Sequence, residues 1–184
     1  MAKIPTRITV AFDASTASLL EKMSSETQLS QSEIMRRALR FYGENKILTD
    51  STMLHRVYAY LEMLGDGEHI VLDGDHWLLF LRMIDNSVEQ EKFWAEHKKV
   101  ARAHGEQLKN KVRSAEDLLK RLELCNFYRL TKISDKEYTL IFGSEEPKKF
   151  VRLFIEEFFA VMAVRAEIRE NLTKLNISIR SEEK

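Results

Sequence analysis

At 184 residues the chain has room for one medium domain, or for a small module plus a larger one. Its 44% hydrophobic and 32% charged content excludes the low-hydrophobicity, high-charge regime in which chains stay unfolded. Lys and Arg balance Asp and Glu at 29 each, so no net field draws the protein to nucleic acid, and any such binding must come from local charge placement.

A single cysteine, Cys125, rules out an intrachain disulfide framework and suits a reducing cytoplasm. Met1 to Val10 lacks the apolar core of a signal peptide, and no apolar run approaches the ~20 residues of a membrane span. A cytoplasmic protein with no membrane partner is expected.

Residues Thr6 to Phe12 alternate, with Arg7, Thr9 and Ala11 on one face and Ile8, Val10 and Phe12 on the other, the period-two pattern of a half-buried strand. Asp13, Ser15 and Thr16 are candidate N-caps for a helix reaching to about Glu26, with Leu19, Leu20 and Met23 facing inward. After Thr27-Gln28-Leu29, the run Ser30-Gln31-Ser32-Glu33 reads as a capping box, with the Ser30 hydroxyl meeting the third helical amide and Glu33 reaching back. The second helix carries an apolar stripe of Ile34, Met35, Ala38, Leu39 and Tyr42, keeps Arg36, Arg37 and Arg40 on other faces, and stops near Gly43. Over residues 1–46 seven basic side chains oppose five acidic ones, a small excess placed where DNA binding would need it.

This strand, helix and capped helix, in about the first quarter of the chain, resembles the ribbon-helix-helix repressors, the Arc-like and CopG-like proteins. Arg7-Ile8-Thr9-Val10-Ala11-Phe12 carries the resemblance, and Leu29-Ser30-Gln31-Ser32-Glu33 repeats the family's usual start of its second helix. The resemblance implies an intertwined dimer that inserts a two-stranded ribbon into DNA. Elementary physics leads the same way. A lone strand has no partner for its N–H and C=O groups, and about 45 residues cannot bury a core alone.

Two copies of Thr6 to Phe12 would form an antiparallel ribbon about a two-fold axis. The expected dimer core is Ile8, Val10, Phe12, Leu19, Leu20, Met23, Ile34, Met35, Ala38 and Leu39. On the outer face Arg7 can pair with guanine, Thr9 can bond a base edge, and Ala11 offers only a methyl for thymine. Ser30, Gln31 and Ser32, at the free amides of a helix N-terminus, are expected to hold a phosphate. Lys3, just ahead of the ribbon, is placed to reach the backbone.

Farther along, Asp50 to Leu64 reads as a helix with Met53, Val57, Leu61 and Leu64 on one side and Gly65 as its stop. Glu68 to Asp73 is strand-like. A helix containing Trp77 to Met83, a long charged helix from about Val88 to Val112, and a helix capped by Ser114 and ending near Leu124 follow. Phe127 to Ile133 and Glu137 to Phe142, joined by Ser134-Asp135-Lys136, read as a hairpin. Pro147 suits the first turn of a helix running to about Ile168 with Phe150, Leu153, Phe154, Phe158 and Met162 inside, and Leu172 to Arg180 returns as a strand sharing the hairpin's sheet.

Chemistry-bearing patterns in this second half are sparse. His97 and His104, seven apart on the long helix, can be combined with His55, His69 or His76 into a metal set, but helical metal pairs usually sit three or four apart. Phe150, Phe154, Phe158, Phe159 and Met162 suit a core better than an apolar ligand pocket. The adjacent pairs Glu145-Glu146 and Glu156-Glu157 diverge on a helix and cannot act as an acid and base together. With no Gly-rich phosphate loop, nucleophile elbow or clustered metal signature, the chain does not read as an enzyme, and no cofactor is expected.

The expected fold class is therefore α+β: a ribbon-helix-helix DNA-binding module over 1–46, a connecting helix over 47–66, and a C-terminal α+β regulatory or oligomerisation domain over 67–184. The expected function is a transcriptional regulator, a repressor rather than an activator, binding double-stranded DNA at a palindromic operator as a homodimer or higher oligomer, with an unknown effector at the C-terminal domain. An antitoxin-like module whose C-terminal domain binds a partner protein is the alternative, and a metal-dependent regulator the second.

Overall fold

In the computed structural model, which describes residues 7–65, 67 and 69–180, the chain divides into two units, Met1–Tyr58 and Ala59–Lys184. Lys3, Thr6, Asp66 and Glu68 lie outside the described residues. The fold class is α+β.

In the first unit, Asp13 starts helix α1 (Ala14–Thr27), its Oδ1 accepting from the Thr16 amide at 2.7 Å. Of the three candidate caps it is the one used, because its backbone is extended while the next residues turn helical. Helix α1 ends at Gln28, which adopts a left-handed conformation at φ 58°, and the Ser24 hydroxyl donates to the Leu29 carbonyl across the turn. Helix α2 (Gln31–Glu44) packs on α1 and is capped by Ser30. A 3-10 turn over Lys46–Thr49 leads into α3 (Ser51–Gly65), which crosses the division between the units. Residues 7–13 belong to no helix and no ladder. The strand expected there is absent from the single chain because a ladder needs a second strand, and no strand is present among the described residues of this unit.

The second unit runs α4 (Gly74–Asp85), α5 (Gln90–Leu108), α6 (Ala115–Leu124), β1 (Arg129–Lys132), β2 (Glu137–Ile141), α7 (Glu146–Val161), β3 (Ala166–Asn171) and β4 (Lys174–Ile179). The strands form one antiparallel sheet in the order β1-β2-β4-β3. Its register places Tyr138 opposite Ile177 and Leu140 opposite Leu175, four buried side chains on one face. Helices α6 and α7 cover that face with Leu118, Leu119 and Leu122, and with Val151, Ile155, Phe158 and Phe159, in one hydrophobic core. Fully burying a Leu or Phe contributes roughly 1.5–3 kcal/mol, so this cluster is the main source of the unit's stability.

Three expectations for this unit are corrected. Residues 69–73, the described part of the run Glu68 to Asp73, form no strand; neither edge of the sheet takes them up, and Asp73 instead caps α4. The long helix ends at Leu108, not Val112. Helix α7 ends at Val161 and not near Ile168, and Ile168 belongs to β3, which periodicity did not separate from the helix. The reason is a stop without glycine. Ala163 takes the left-handed position at φ 56°, its amide bonding the Ala160 carbonyl and that of Val164 the Phe159 carbonyl. That is a Schellman ending, for which glycine is the usual marker.

Candidate nucleic-acid interface

The first unit presents a short chain segment and a helix N-terminus. Along the segment, Arg7, Thr9 and Ala11 are exposed, but so are Ile8 at 78%, Val10 at 56% and Phe12 at 38%. Both faces of the alternating run are therefore open in the single chain. The same holds for much of the expected dimer core. Leu19, Met23, Ala38 and Leu39 are exposed, Leu20 and Met35 are half-buried, and Ile34 alone of the ten is buried. Helices α1 and α2 are too small a pair to close a core around these side chains.

At the start of α2 the Ser30 Oγ accepts from the Glu33 amide at 3.2 Å, and the Ser30 carbonyl takes the Glu33 and Ile34 amides. The Gln31 and Ser32 amides make no hydrogen bond to another described residue, as expected for the first turn of a helix. Ser30, Gln31 and Ser32 thus share one exposed helix end, with the Ser30 O–H still able to donate.

The other half of the capping box is a correction. Glu33 does not reach back to Ser30. Its carboxylate is held by Arg36, through Nε at 3.0 Å and Nη2 at 2.7 Å, and by Arg37 Nε at 3.0 Å. Those guanidinium hydrogen bonds keep the Glu33 carboxyl below its usual range. Sequence reading placed Arg36 and Arg37 only on other faces; the signal for the pairing was their spacing of three and four from Glu33.

In the second unit, His97 is buried and its Nε2 lies 2.9 Å from the Phe150 carbonyl, with the two rings 3.9 Å apart. A neutral ring donating from Nε2 satisfies this bond, and burial pushes its pKa down. His69 and His104 instead line a cavity of about 40 Å³ with Cys125. Burial raises the Cys125 thiol pKa, with Arg121 opposing, so Cys125 is a poor nucleophile. No three His, Cys, Asp or Glu residues among the described ones are grouped to hold a metal ion. Phe158 and Phe159 belong to the core, with Phe150, Phe154 and Met162 packed against it.

No helix among the described residues is long and apolar enough to cross a membrane. No curated protein matches the chain. Residues 6–46, a stretch that includes the unpaired run over 7–13 and the capped helix pair after it, match the family model described as ribbon-helix-helix protein, copG family, a match that supports a DNA-binding role of the transcription-regulator or antitoxin type.

Proposed function

We propose that the protein is a sequence-specific transcriptional repressor that works as a homodimer, each copy contributing Thr6 to Phe12 to an antiparallel ribbon that enters the DNA major groove. One observation carries this reading: within the family-matched stretch, residues 7–12 have no ladder partner while Ile8 and Val10 are open to solvent. A second copy removes both costs at once, since it pairs the backbone and buries Ile8, Val10 and Phe12 over Leu19, Leu20, Met23, Ile34, Met35, Ala38 and Leu39.

With the apolar face turned inward, alternation turns Arg7, Thr9 and Ala11 outward. Arg7 reads guanine through O6 and N7, Thr9 reads a base edge, and the Ala11 methyl touches thymine. The Gln31 and Ser32 amides and the Ser30 hydroxyl hold a backbone phosphate and set the depth of insertion, with Lys3 adding a contact ahead of the ribbon. Because the dimer is two-fold, the operator is palindromic. The module extends through residue 46, residues 47–66 connect it, and 67–184 form the domain that modulates binding through an effector or through assembly.

The test is selection from a random duplex pool by the full-length protein at near-physiological salt, alongside an Arg7→Ala/Thr9→Ala variant. An enriched palindrome that the variant loses establishes ribbon readout. A shared, unchanged preference would remove Arg7 and Thr9 from the reader role. Co-purification of a stoichiometric partner that covers the second unit, with no enriched duplex, would move the function to the antitoxin type that the family match also supports.

A further inference from the structure

A cavity of about 40 Å³ lies between α5, α6 and α7 in the second unit, lined by His69, Arg121 and Cys125 together with the apolar Leu118, Phe154 and Phe158. His69 Nδ1 is buried and makes no hydrogen bond among the described residues. Arg121 is half-buried and has neither an ion pair nor a hydrogen bond among them. Every other half-buried Asp, Glu, Lys or Arg described in this unit has such a partner. A half-buried cation and a buried ring nitrogen both lose hydration, and folded proteins ordinarily return it as hydrogen bonds.

The last turn of α6 attracts a cation at Arg121, but that attraction acts equally on an exposed side chain and accounts for no burial. Glu62 feels the Arg121 charge, yet its carboxylate is taken by Lys111 Nζ at 2.9 Å. The same Arg121 charge acts on Cys125, which sets it beside the cavity. Burial keeps that thiol protonated, and the described lining residues include no Asp or Glu, so nothing negative at the wall opposes an anion. Size narrows the class. One water needs roughly 10–15 Å³ of such space, so this cavity takes a carboxylate with a short alkyl end and no ring.

From these observations we infer that the cavity binds a short-chain monocarboxylic acid, of the size of acetate or propionate, its carboxylate held by the Arg121 guanidinium and the His69 Nδ1–H and its alkyl end against Leu118, Phe154 and Phe158. A guanidinium presents paired donors that match the two oxygens of a carboxylate. A neutral imidazole carrying its proton on Nδ1 supplies one more donor at no cost in charge. Phosphate and sulfate fit poorly, being bulkier and bringing a second negative charge that one cation near Glu62 does not balance. This acid gives the ligand class for the effector of the proposed repressor, and in that role it rests on that reading; its binding to the second unit does not.

The single cysteine of the chain, Cys125, lines the cavity and reports its occupancy. The experiment follows alkylation of Cys125 by iodoacetamide in the full-length protein, without DNA, as sodium propionate replaces sodium chloride at constant ionic strength. Propionamide serves as the uncharged isostere and sulfate as the dianion, and Arg121→Gln and His69→Ala are run beside the wild type, each against its own rate in chloride. His69 lies outside every helix and strand, so His69→Ala retains the fold even if circular dichroism shows that Arg121→Gln does not. Propionate is expected to slow alkylation saturably, at least fivefold, with its half-effect on the order of a millimolar, while propionamide and sulfate leave the rate unchanged. The half-effect concentration should rise at least tenfold in Arg121→Gln and about threefold in His69→Ala. No protection by propionate, equal protection by propionamide, protection by sulfate alone, or an unchanged half-effect in a folded variant overturns the site. The duplex selection is then repeated with propionate. Protection of Cys125 in a chain that selects no duplex upholds the site and removes the repressor reading, whereas an enriched duplex without protection removes the site alone.

Discussion

The first turn of α2 holds a carboxylate where a phosphate is proposed to bind. An acidic side chain there favours the helix by facing its positive end, but it repels an incoming phosphate. Arg36 and Arg37 offset that repulsion by closing on Glu33. Glu33→Gln releases both guanidinium groups and removes the negative charge, so DNA binding is expected to tighten by roughly two- to fivefold at low salt. Fluorescence anisotropy titration reads the effect, and equal or weaker binding would show that the Arg–Glu cluster positions the helix and does not restrain its affinity.

His97 permits a prediction of pH dependence. Its folded-state pKa is pushed below the ordinary value of 6.5 by burial between α5 and α7. The unfolded chain therefore takes up a proton first as pH falls. The contribution of His97 to stability is full above about pH 6.5 and declines as pH drops below it. Thermal unfolding followed from pH 7.5 to 5.5 should show a falling midpoint, and His97→Gln, which can still donate to the Phe150 carbonyl, should show a flatter dependence. Parallel slopes for the two proteins would place the acid sensitivity elsewhere.

On the scale of elements, α7 is fixed by its ending and by its contact with α5. Ala163 holds a left-handed conformation that costs an L-residue roughly 1–2 kcal/mol, so Ala163→Gly is expected to raise stability by up to about 1 kcal/mol, in spite of the entropy that glycine adds to the unfolded chain. Denaturant midpoints at constant slope would show it.

Gly105 works in the opposite sense. A Cβ at this position would lie 3.0 Å from two carbons of Val161, and the Val161 side chain branches from its first carbon and cannot turn aside. Gly105→Ala gains about 1 kcal/mol of helix propensity, yet overpacking at a close contact typically costs 1–3 kcal/mol. Net destabilisation is expected, largely recovered in the Gly105→Ala/Val161→Ala pair. A double mutant as unstable as the single one would mean that the glycine serves something other than this contact.

For the whole molecule, zero net charge means that the proposed DNA binding comes from locally placed basic side chains and not from a net field. The affinity should fall with salt along a log–log slope of roughly −0.9 for each phosphate neutralised, hence gently for a module with so small a basic excess. Ser30→Ala is expected to weaken binding evenly across sequences and leave the slope unchanged, because a hydroxyl releases no counterion. Arg7→Ala should lose about 1–3 kcal/mol of discrimination at one base pair. Reversed outcomes, with Ser30→Ala altering base preference, would exchange the positioning and reading roles.

Much of this molecule was legible from residues alone where the signal was local. Asp13, Ser30 and Ser114 cap α1, α2 and α6 because a side-chain oxygen within reach of a free amide is a matter of a few neighbouring residues. The β1-β2 hairpin with its Ser134-Asp135-Lys136 turn, and the apolar runs on α7 and β4, followed from periodicity for the same reason. What depended on distant partners was not legible. The β3 strand was hidden because Ala163 and Leu172 make left-handed turns without glycine, a strain that only the surrounding packing maintains. The strand-like run before α4 formed no strand because pairing needs an edge in the right place. Glu33 left its expected cap for Arg36 and Arg37 because guanidinium groups compete with a backbone amide for the same carboxylate. By itself the sequence determined that the helices form, the caps at Asp13, Ser30 and Ser114 and the alternating run of residues 7–12; only the tertiary structure decided where α5 and α7 end, and which apolar faces close within one chain and which stay open, because burial is a property of every residue that can reach a surface and not of the residues that carry it.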